Sequence, residues 1–378
     1  VLIERLIATT TGNAVTIGGI AVAKDGVIKG QDVLSSGVGQ AKDIDMTASP
    51  IVVPKDSFVT FQLWAKINPV VATSTPGVTT VANRTGSTVS MGIGANATSG
   101  LAYAAEYDTN YASLSSRAGR FNVRATGAAS GERVYAATTT ETTVNGGLFG
   151  NTFVVRKTKP SVNRICSGVG GACPSTLSGN TELYRVAVSA DAAGPVALKK
   201  LTLSWSKTTS SASGLTINNL QVLKGGVAMS QSSYSLMNQN GDDLKSTGLF
   251  PMVASSSGYI TITFVTPETI TGAGNQYALV GDISGAISGD TVTFGLKSSG
   301  SSSVITGFLT SASTTLSSIL LPAPNLSTVS VSASADASGT FVWSDMSEIG
   351  GGTNTTGDWT NDLYIETITG ASQTFRLN

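Results

Sequence analysis

Alternating apolar and polar residues recur along the chain and predict β-strands. The segment Phe58–Ile67 alternates over its whole length, with one face formed by Val59, Phe61, Leu63 and Ala65. The same period of two gives Leu198–Ser206 a face with Leu201, Leu203 and Trp205, and gives Tyr259–Val265 a face with Ile260, Ile262 and Phe264. This pattern is typical of strands that bury one face.

Turn residues separate these strand patterns at short intervals. Examples in the second half are Asn240-Gly241, Gly272–Asn275 and Ser288–Asp290. No stretch shows the pattern of a long amphipathic helix. The chain is therefore predicted to be all-β, with two antiparallel β-sandwich domains of Ig-like or Greek-key type in tandem.

The stretch Phe153–Ser167 is predicted to be the hinge between these domains. It joins an apolar run to a basic turn, in which Pro160 favours extended geometry at Lys159. The predicted organisation is an N-terminal segment (1–13), an N-terminal β-domain (14–157) and a C-terminal β-sandwich domain (158–378). The alternative is an ordinary loop within one large domain.

The first eight residues, VLIERLIA, are unusually apolar for a chain end. In a regular strand, Val1, Ile3 and Ile7 share one face, and Leu2, Leu6 and Ala8 share the other. Apolar residues on both faces suit a slot inside a sheet. That sheet belongs either to the same domain or to a neighbouring subunit, with residues 9–13 as a flexible lead. In the second case, the subunit-contact residues are Val1, Leu2, Ile3, Leu6 and Ile7.

Composition narrows the classes of function. Only 12% of the 378 residues are charged, and 23 basic residues balance 23 acidic ones. Nucleic acid is not an expected partner, because there is no basic excess to neutralise phosphates. The chain has no histidine, which excludes Ser-His-Asp and Cys-His catalysis and most zinc and copper sites. We expect no cofactor.

We also expect no transmembrane span, since no run approaches the ~18 apolar residues of a membrane helix. The sequence begins at Val1 and shows no signal peptide. We therefore expect that the numbering begins either after processing or at the first residue that the structure covers.

The two cysteines, Cys166 and Cys173, flank six small residues. They could close this loop as a disulfide, which would indicate an oxidising compartment and an extracellular location. Two free thiols are the alternative.

Two local patterns are candidate binding sites. Asn238, Asn240, Asp242 and Asp243 surround Gly241 in the manner of part of a calcium loop, although the acidic residue that completes such a loop is missing. An ordinary Asn-Gly turn is the alternative. Asp345 and Asp358 each lie close to a tryptophan in the sequence, which could indicate a sugar site or, alternatively, a carboxylate that caps a turn.

Four Asn-x-Ser/Thr triplets are candidate glycosylation sites, at Asn83, Asn96, Asn325 and Asn354. In a chain rich in serine and threonine, such triplets also arise by chance.

Several fragments in the chain carry a family resemblance. In order they are Val154–Pro160, Thr176-Leu177, Asn180–Ala190, Val196–Leu203, Phe341–Ser347 (FVWSDMS) and Asp358–Asn361 (DWTN). They resemble the secreted, β-rich, S-layer-like surface proteins of candidate-phyla-radiation bacteria (Patescibacteria), mainly from Val154 onward. The resemblance implies a structural component of the cell envelope without catalytic residues. The cysteine loop and the segment Val1–Ala8 depart from the family pattern.

These observations predict a non-enzymatic structural subunit at the cell surface, which assembles with copies of itself into a filament or an S-layer through head-to-tail contacts. Donation of the N-terminal strand is one candidate contact. The alternatives are a monomeric adhesin or carbohydrate-binding module that binds glycans, and a secreted glycan-active enzyme that uses Asp and Glu.

Overall fold

The computed structural model describes residues 1–12, 17–34, 41–70, 85, 88–94, 121–137, 148–166, 173, 181–208, 215–238, 243–245, 249–251, 257–297, 341–347, 359–361 and 372–376. The secondary structure in these ranges consists of strands and turns, so the all-β prediction is confirmed. The chain divides into two compact units between Arg156 and Lys157. This division lies one residue before the predicted boundary.

The first unit contains two antiparallel sheets. Its strands are β1 (Leu2–Gly12), β2 (Ile17–Lys24), β3 (Val27–Val33), β4 (Ala41–Asp45), β5 (Ile51–Val52), β6 (Gln62–Ile67), β7 (Thr88–Ile93), β8 (Phe121–Thr126), β9 (Arg133–Ala137), β10 (Leu148–Phe149) and β11 (Phe153–Val154). In an eight-stranded sheet, β1 pairs with β4, β5, β7 and β8, while β9 pairs with β8, and β10 and β11 pair with β7. A three-stranded sheet has the order β3-β2-β6.

Both sheets contribute to one apolar core. It includes Leu6 from the large sheet, Val22 from the small sheet and Ile44 from β4, none of which is exposed to solvent. Leu63 and Ala65 of β6 pack against this core, while Gln62, Trp64 and Lys66 face outward. The faces predicted for this strand are therefore confirmed.

The strand β6 is shorter than the sequence pattern predicted. It begins at Gln62, and the side chain of Phe58 is 87% exposed. The reason lies in its neighbour β2, whose residue Ala23 pairs with Gln62 and which ends one residue later. The chain then turns at Asp25 and Gly26, with φ angles of 52° and 77°. Because β2 ends there, the residues before Gln62 meet no ladder partner on it.

The second unit has the same two-sheet construction. Its strands are β12 (Pro160–Arg164), β13 (Thr181–Ala190), β14 (Val196–Thr208), β15 (Thr216–Lys224), β16 (Val227–Ala228), β17 (Tyr234–Asn238), β18 (Leu249–Pro251), β19 (Ser257–Ile270), β20 (Asn275–Ser284), β21 (Thr291–Leu296), β22 (Phe341–Ser344), β23 (Trp359–Asn361) and β24 (Ser372–Arg376). One sheet has the order β12-β13-β20-β15-β16, with β18 paired to β15. The other has the order β17-β19-β14-β21-β24, with β22 paired to β14 and to β23.

The core of the second unit lies between these sheets and follows the predicted faces. The inward residues of β14 and β19 are Leu201, Leu203, Trp205, Ile260, Ile262 and Phe264, all buried. On the opposite face, the hydroxyls of Thr202 and Thr261 lie 3.2 Å apart across the two strands. The hydroxyl-rich composition thus supplies cross-strand pairs, which stabilise a sheet.

The predicted hinge is tied into the second unit just after the boundary. The backbone N–H of Lys157 donates to Asp345. The hydroxyl oxygen of Thr158 lies 2.8 Å from a carboxylate oxygen of Asp191 and 2.8 Å from the carbonyl oxygen of Gly194, either of which can accept its hydrogen. Thr158 is 2% exposed. Only part of this stretch, including Lys159, is exposed to solvent.

Candidate functional site

The N-terminal strand β1 is an interior strand of its own unit. One of its edges pairs with β5 and β4, and its other edge pairs with β8 and β7. Thr9 and Thr10 lie within this strand and are buried. Residues 9–13 were predicted to form a flexible lead after a separate N-terminal segment. That prediction is wrong for residues 9–12, because they belong to β1. In this fold β1 fills a slot in its own sheet, as the first of the two predicted alternatives has it. Strand donation between subunits stays an untested prediction.

A bulge in β1 changes which of its side chains share a face. Opposite β8, the register shifts between Ile3 and Arg5. As a result Ile3, Leu6 and Ala8 all contact the core, although the regular alternation placed Ile3 with Val1 and Ile7. Ile7 is also buried, whereas the side chain of Val1 is 48% exposed. The predicted faces are therefore wrong for Ile3, because a bulge inserts one residue and reverses the alternation before it. Leu6 and Ala8 share one face, as predicted.

The two charged residues of β1 have partners on neighbouring strands. Arg5 forms an ion pair with Asp43 of β4, and Glu4 lies 3.8 Å from Arg124 of β8. The pKa of Asp45 is lowered, first by the side-chain hydrogen bond from Thr47 and then by its backbone N–H. Cross-strand partners thus explain how a strand inside a sheet tolerates Glu4 and Arg5.

An apolar cleft opens between the edges of the two sheets in the first unit. It is lined by Ala65 and Ile67 of β6, Val89 and Met91 of β7, Phe153 of β11, and the adjoining Val155 and Arg156. Its volume is about 380 Å³. The guanidinium of Arg156 donates to the hydroxyl of Thr85 at 3.3 Å, so this cation also has a partner within the unit. The other six side chains of the lining are apolar.

Four exposed apolar residues, Ile67, Leu148, Phe149 and Phe153, lie on the strands β6, β10 and β11, and we call them the rim. Ile67 is 42% exposed and Phe153 is 60% exposed, and both also line the cleft. Next to them, β10 extends the same edge of β7 with Leu148 and Phe149, which are 63% and 42% exposed. Sequence reasoning missed this rim. The available signal was the run LFGNTFVV (148–155), in which Gly150, Asn151 and Thr152 separate two apolar stretches.

The predicted disulfide between Cys166 and Cys173 is present, with 4.7 Å between the two Cα atoms. The guanidinium of Arg164 contacts both sulfur atoms and the side-chain oxygen of Gln373. Arg164 ends β12, and Gln373 lies in β24, which are edge strands of different sheets. The arginine therefore connects the disulfide and both sheet edges within the second unit.

The calcium candidate is only partly within the described residues. Asn240 and Asp242 lie outside them, whereas Asn238 ends β17. The carboxylate of Asp243 accepts the backbone N–H of Lys245 at 2.9 Å, as in an ordinary turn. The described residues contain no group of three or more acidic or cysteine side chains placed to hold a metal ion.

The sugar candidate is a buried structural element in the part that the structure describes. Asp345 is not exposed and accepts bonds from the N–H of Lys157 and from the N–H and hydroxyl of Ser347. The neighbouring Trp343 is fully buried, so its ring offers no face for a sugar to stack on. The capping alternative therefore holds for Asp345. Asp358 lies outside the described residues.

The four glycosylation candidates, Asn83, Asn96, Asn325 and Asn354, also lie outside the described residues. Where the chain is described, no helix is long and apolar enough to span a membrane.

No family model and no curated protein matches the chain. Among solved structures, the pilus backbone protein RrgB of Streptococcus pneumoniae aligns with 36% of this chain and 31% of its own, at 14% identity and a TM-score of 0.18. Two full-length structures of RrgB align with 78% of this chain and with 41% and 42% of their own, at 10% and 11% identity and a TM-score of 0.19 each. The chain thus spans less than half the length of these pilins. With TM-scores this low, we base no functional conclusion on the similarity.

Proposed function

We propose that this chain is a structural subunit of an extracellular, self-assembling polymer at the cell surface, either a filament or an S-layer. The observation that carries the proposal is the apolar cleft with its exposed rim of Ile67, Leu148, Phe149 and Phe153. An apolar cleft with large exposed apolar side chains on the strands beside it is typical of an interaction site. Burying the rim against another protein removes its apolar surface from water.

A second copy of the chain is the partner that its charge balance favours. Because 23 basic residues balance 23 acidic ones, copies of the chain approach without long-range repulsion. Head-to-tail contacts, in which Leu148, Phe149 and Phe153 meet a different surface on the next copy, would extend such an assembly without closing it. Donation of β1 is not part of this proposal, because its slot is in its own unit.

The disulfide supports the extracellular location. Disulfides persist in secreted and surface proteins and are rare in reducing compartments. In the chain-entropy account, closing so short a loop stabilises the fold by about 2–3 kcal/mol. The resemblance to S-layer-like surface proteins and the absence of an enzymatic role remain predictions.

Negative-stain microscopy and light scattering of the purified protein test the proposal. We expect the wild-type protein to form polymers and the double variant Leu148→Asp/Phe153→Asp to remain dispersed, since two carboxylates would have to be buried at the contact. Val227→Asp is the matched control. This valine is 72% exposed on β16 in the second unit, so the variant should polymerise normally.

Two results would contradict the proposal: a wild-type protein that stays monomeric under all conditions, or rim variants that polymerise as well as the control. A monomer that binds defined sugars on a glycan array would instead support the adhesin alternative.

A further inference from the structure

Strand β6 (Gln62–Ile67) lies at the edge of the three-stranded sheet. In the described part of the chain it forms a ladder with β2 alone, so its second edge carries no strand there. Proteins usually protect such edges with proline, bulges, very short strands or charges. β6 has six residues, contains no proline, and carries Lys66 as its single charge. Two of its side chains, Trp64 and Ile67, are 40% and 42% exposed.

We propose that β6 pairs antiparallel with β6 of a second copy of this chain, around a two-fold axis at Ala65. The three-stranded sheets of two copies would then form one continuous six-stranded sheet. This inference rests on the proposed function, from which it takes a second copy as the partner, and it names one contact surface of the assembly.

The self-complementarity of the strand supports this register. With Ala65 opposite its own equivalent, Leu63 lies opposite Ile67 of the partner subunit, and Trp64 lies opposite Lys66 of the partner subunit. Leu63 and Ala65 belong to the core-facing side of β6, so that face joins apolar residues only. On the outer face, each lysine meets an indole ring, which attracts a cation. No like charges lie opposite each other in this register. Lys66, the single charged residue of β6, therefore contributes to the contact and does not block it.

The cleft gives a second reason for a partner strand at this edge. Ile67 lines the cleft, and the residue opposite it in the proposed register is Leu63 of the partner subunit. Side chains on the core-facing side of an added strand would therefore lie over the cleft. Strand addition commonly combines main-chain hydrogen bonds with apolar pockets for alternate side chains, and β6 and the cleft supply both.

Cysteine cross-linking tests the register. In Ala65→Cys the two introduced thiols would lie directly opposite each other, so oxidation or a short bis-maleimide should give a covalent dimer. The matched control is Gln62→Cys on the same strand. In the proposed register the two thiols introduced by this control would lie about 20 Å apart along the strands, so it should not cross-link. Equal cross-linking of the two variants, or none for Ala65→Cys, would overturn the inference.

A residue swap separates this pairing from a general loss of stability. Trp64→Lys places lysines opposite each other twice, and we expect about tenfold weaker association in analytical ultracentrifugation. The double variant Trp64→Lys/Lys66→Trp restores lysine opposite tryptophan and should restore association. Failure of the double variant to restore it would contradict the register.

The failures of the two proposals are distinguishable. Polymers that form without Ala65→Cys cross-linking would overturn the β6 contact and leave the proposed function standing. A cross-linked β6 dimer in a protein that never polymerises would support the β6 contact and overturn the proposed function.

Discussion

At the residue scale, Lys200 shows how the tertiary structure can reverse a residue's usual role. Lysine is almost always exposed, yet Lys200 of β14 is only 2% exposed. Burial lowers its pKa to about 8, and the neighbouring charge of Lys199 acts in the same direction. The ammonium of Lys199 donates to the carbonyl of Val265 at 3.0 Å. The sequence LKKLTLSWS gives no sign that both lysines are largely buried.

The free energy of unfolding of the second unit should therefore rise as the pH rises from about 8 to 10.5, the window set by Lys200. The folded pKa of about 8 lies below the ordinary value of 10.5, so between these values the unfolded chain binds more protons. Over this window, Lys200 alone should raise the free energy of unfolding by about 3 kcal/mol. Urea denaturation across the window should show the rise in the wild type and a smaller rise in Lys200→Met. Equal pH dependence in the two proteins would contradict the prediction.

At the element scale, the neighbours of β1 decide whether this strand supports its own unit or forms a contact between subunits. Its apolar sequence is typical of an interior strand, and the structure shows four strands paired along its two edges. Its charged residues reach Asp43 and Arg124 on those neighbours. The strand thus supports the first unit, and the candidate contact surface lies elsewhere, at the cleft and β6.

Deleting Val1–Ala8 should unfold the first unit. Without this segment, β5 and β8 lose their partner on β1 entirely, β4 loses most of its ladder, and the core loses Leu6 and Ala8. Limited proteolysis and near-UV circular dichroism should show a degraded first unit beside an intact second unit. Val1→Asp is the control and should remain folded, because this side chain is about half exposed. Soluble, folded monomers that no longer polymerise would instead support strand donation.

At the scale of the whole molecule, each unit has its own apolar core. Leu6 belongs to the core of the first unit and Leu203 to that of the second, and neither is more than 1% exposed. Separate cores make each unit capable of unfolding on its own.

Calorimetry should therefore show two unfolding transitions, each sensitive to its own core. Leu6→Ala and Leu203→Ala form a matched pair, since each removes a buried leucine at a cost of about 2–5 kcal/mol. Each variant should lower the midpoint of one transition by several degrees and leave the other in place. A single transition that both variants shift equally would show that the two units unfold as one.

The sequence by itself determined the features that depend on neighbours in the chain. The period of two in β6, β14 and β19 predicted which residues face the core, because successive side chains of a strand point to opposite faces. The disulfide was predictable because seven positions separate Cys166 from Cys173, so the loop closes locally.

Only the tertiary structure decided the features that depend on remote parts of the chain. The slot of β1 requires strands that begin as far away as Phe121, and a bulge beside Glu4 moves Ile3 to the face of Leu6 and Ala8. The burial of Lys200 and Trp343 depends on what covers them in the folded chain. The cleft exists because β6, β7 and β11 meet at one edge of the unit. Local periodicity reports how a strand presents its side chains, but it carries no information on which distant strand will pair with it or cover it.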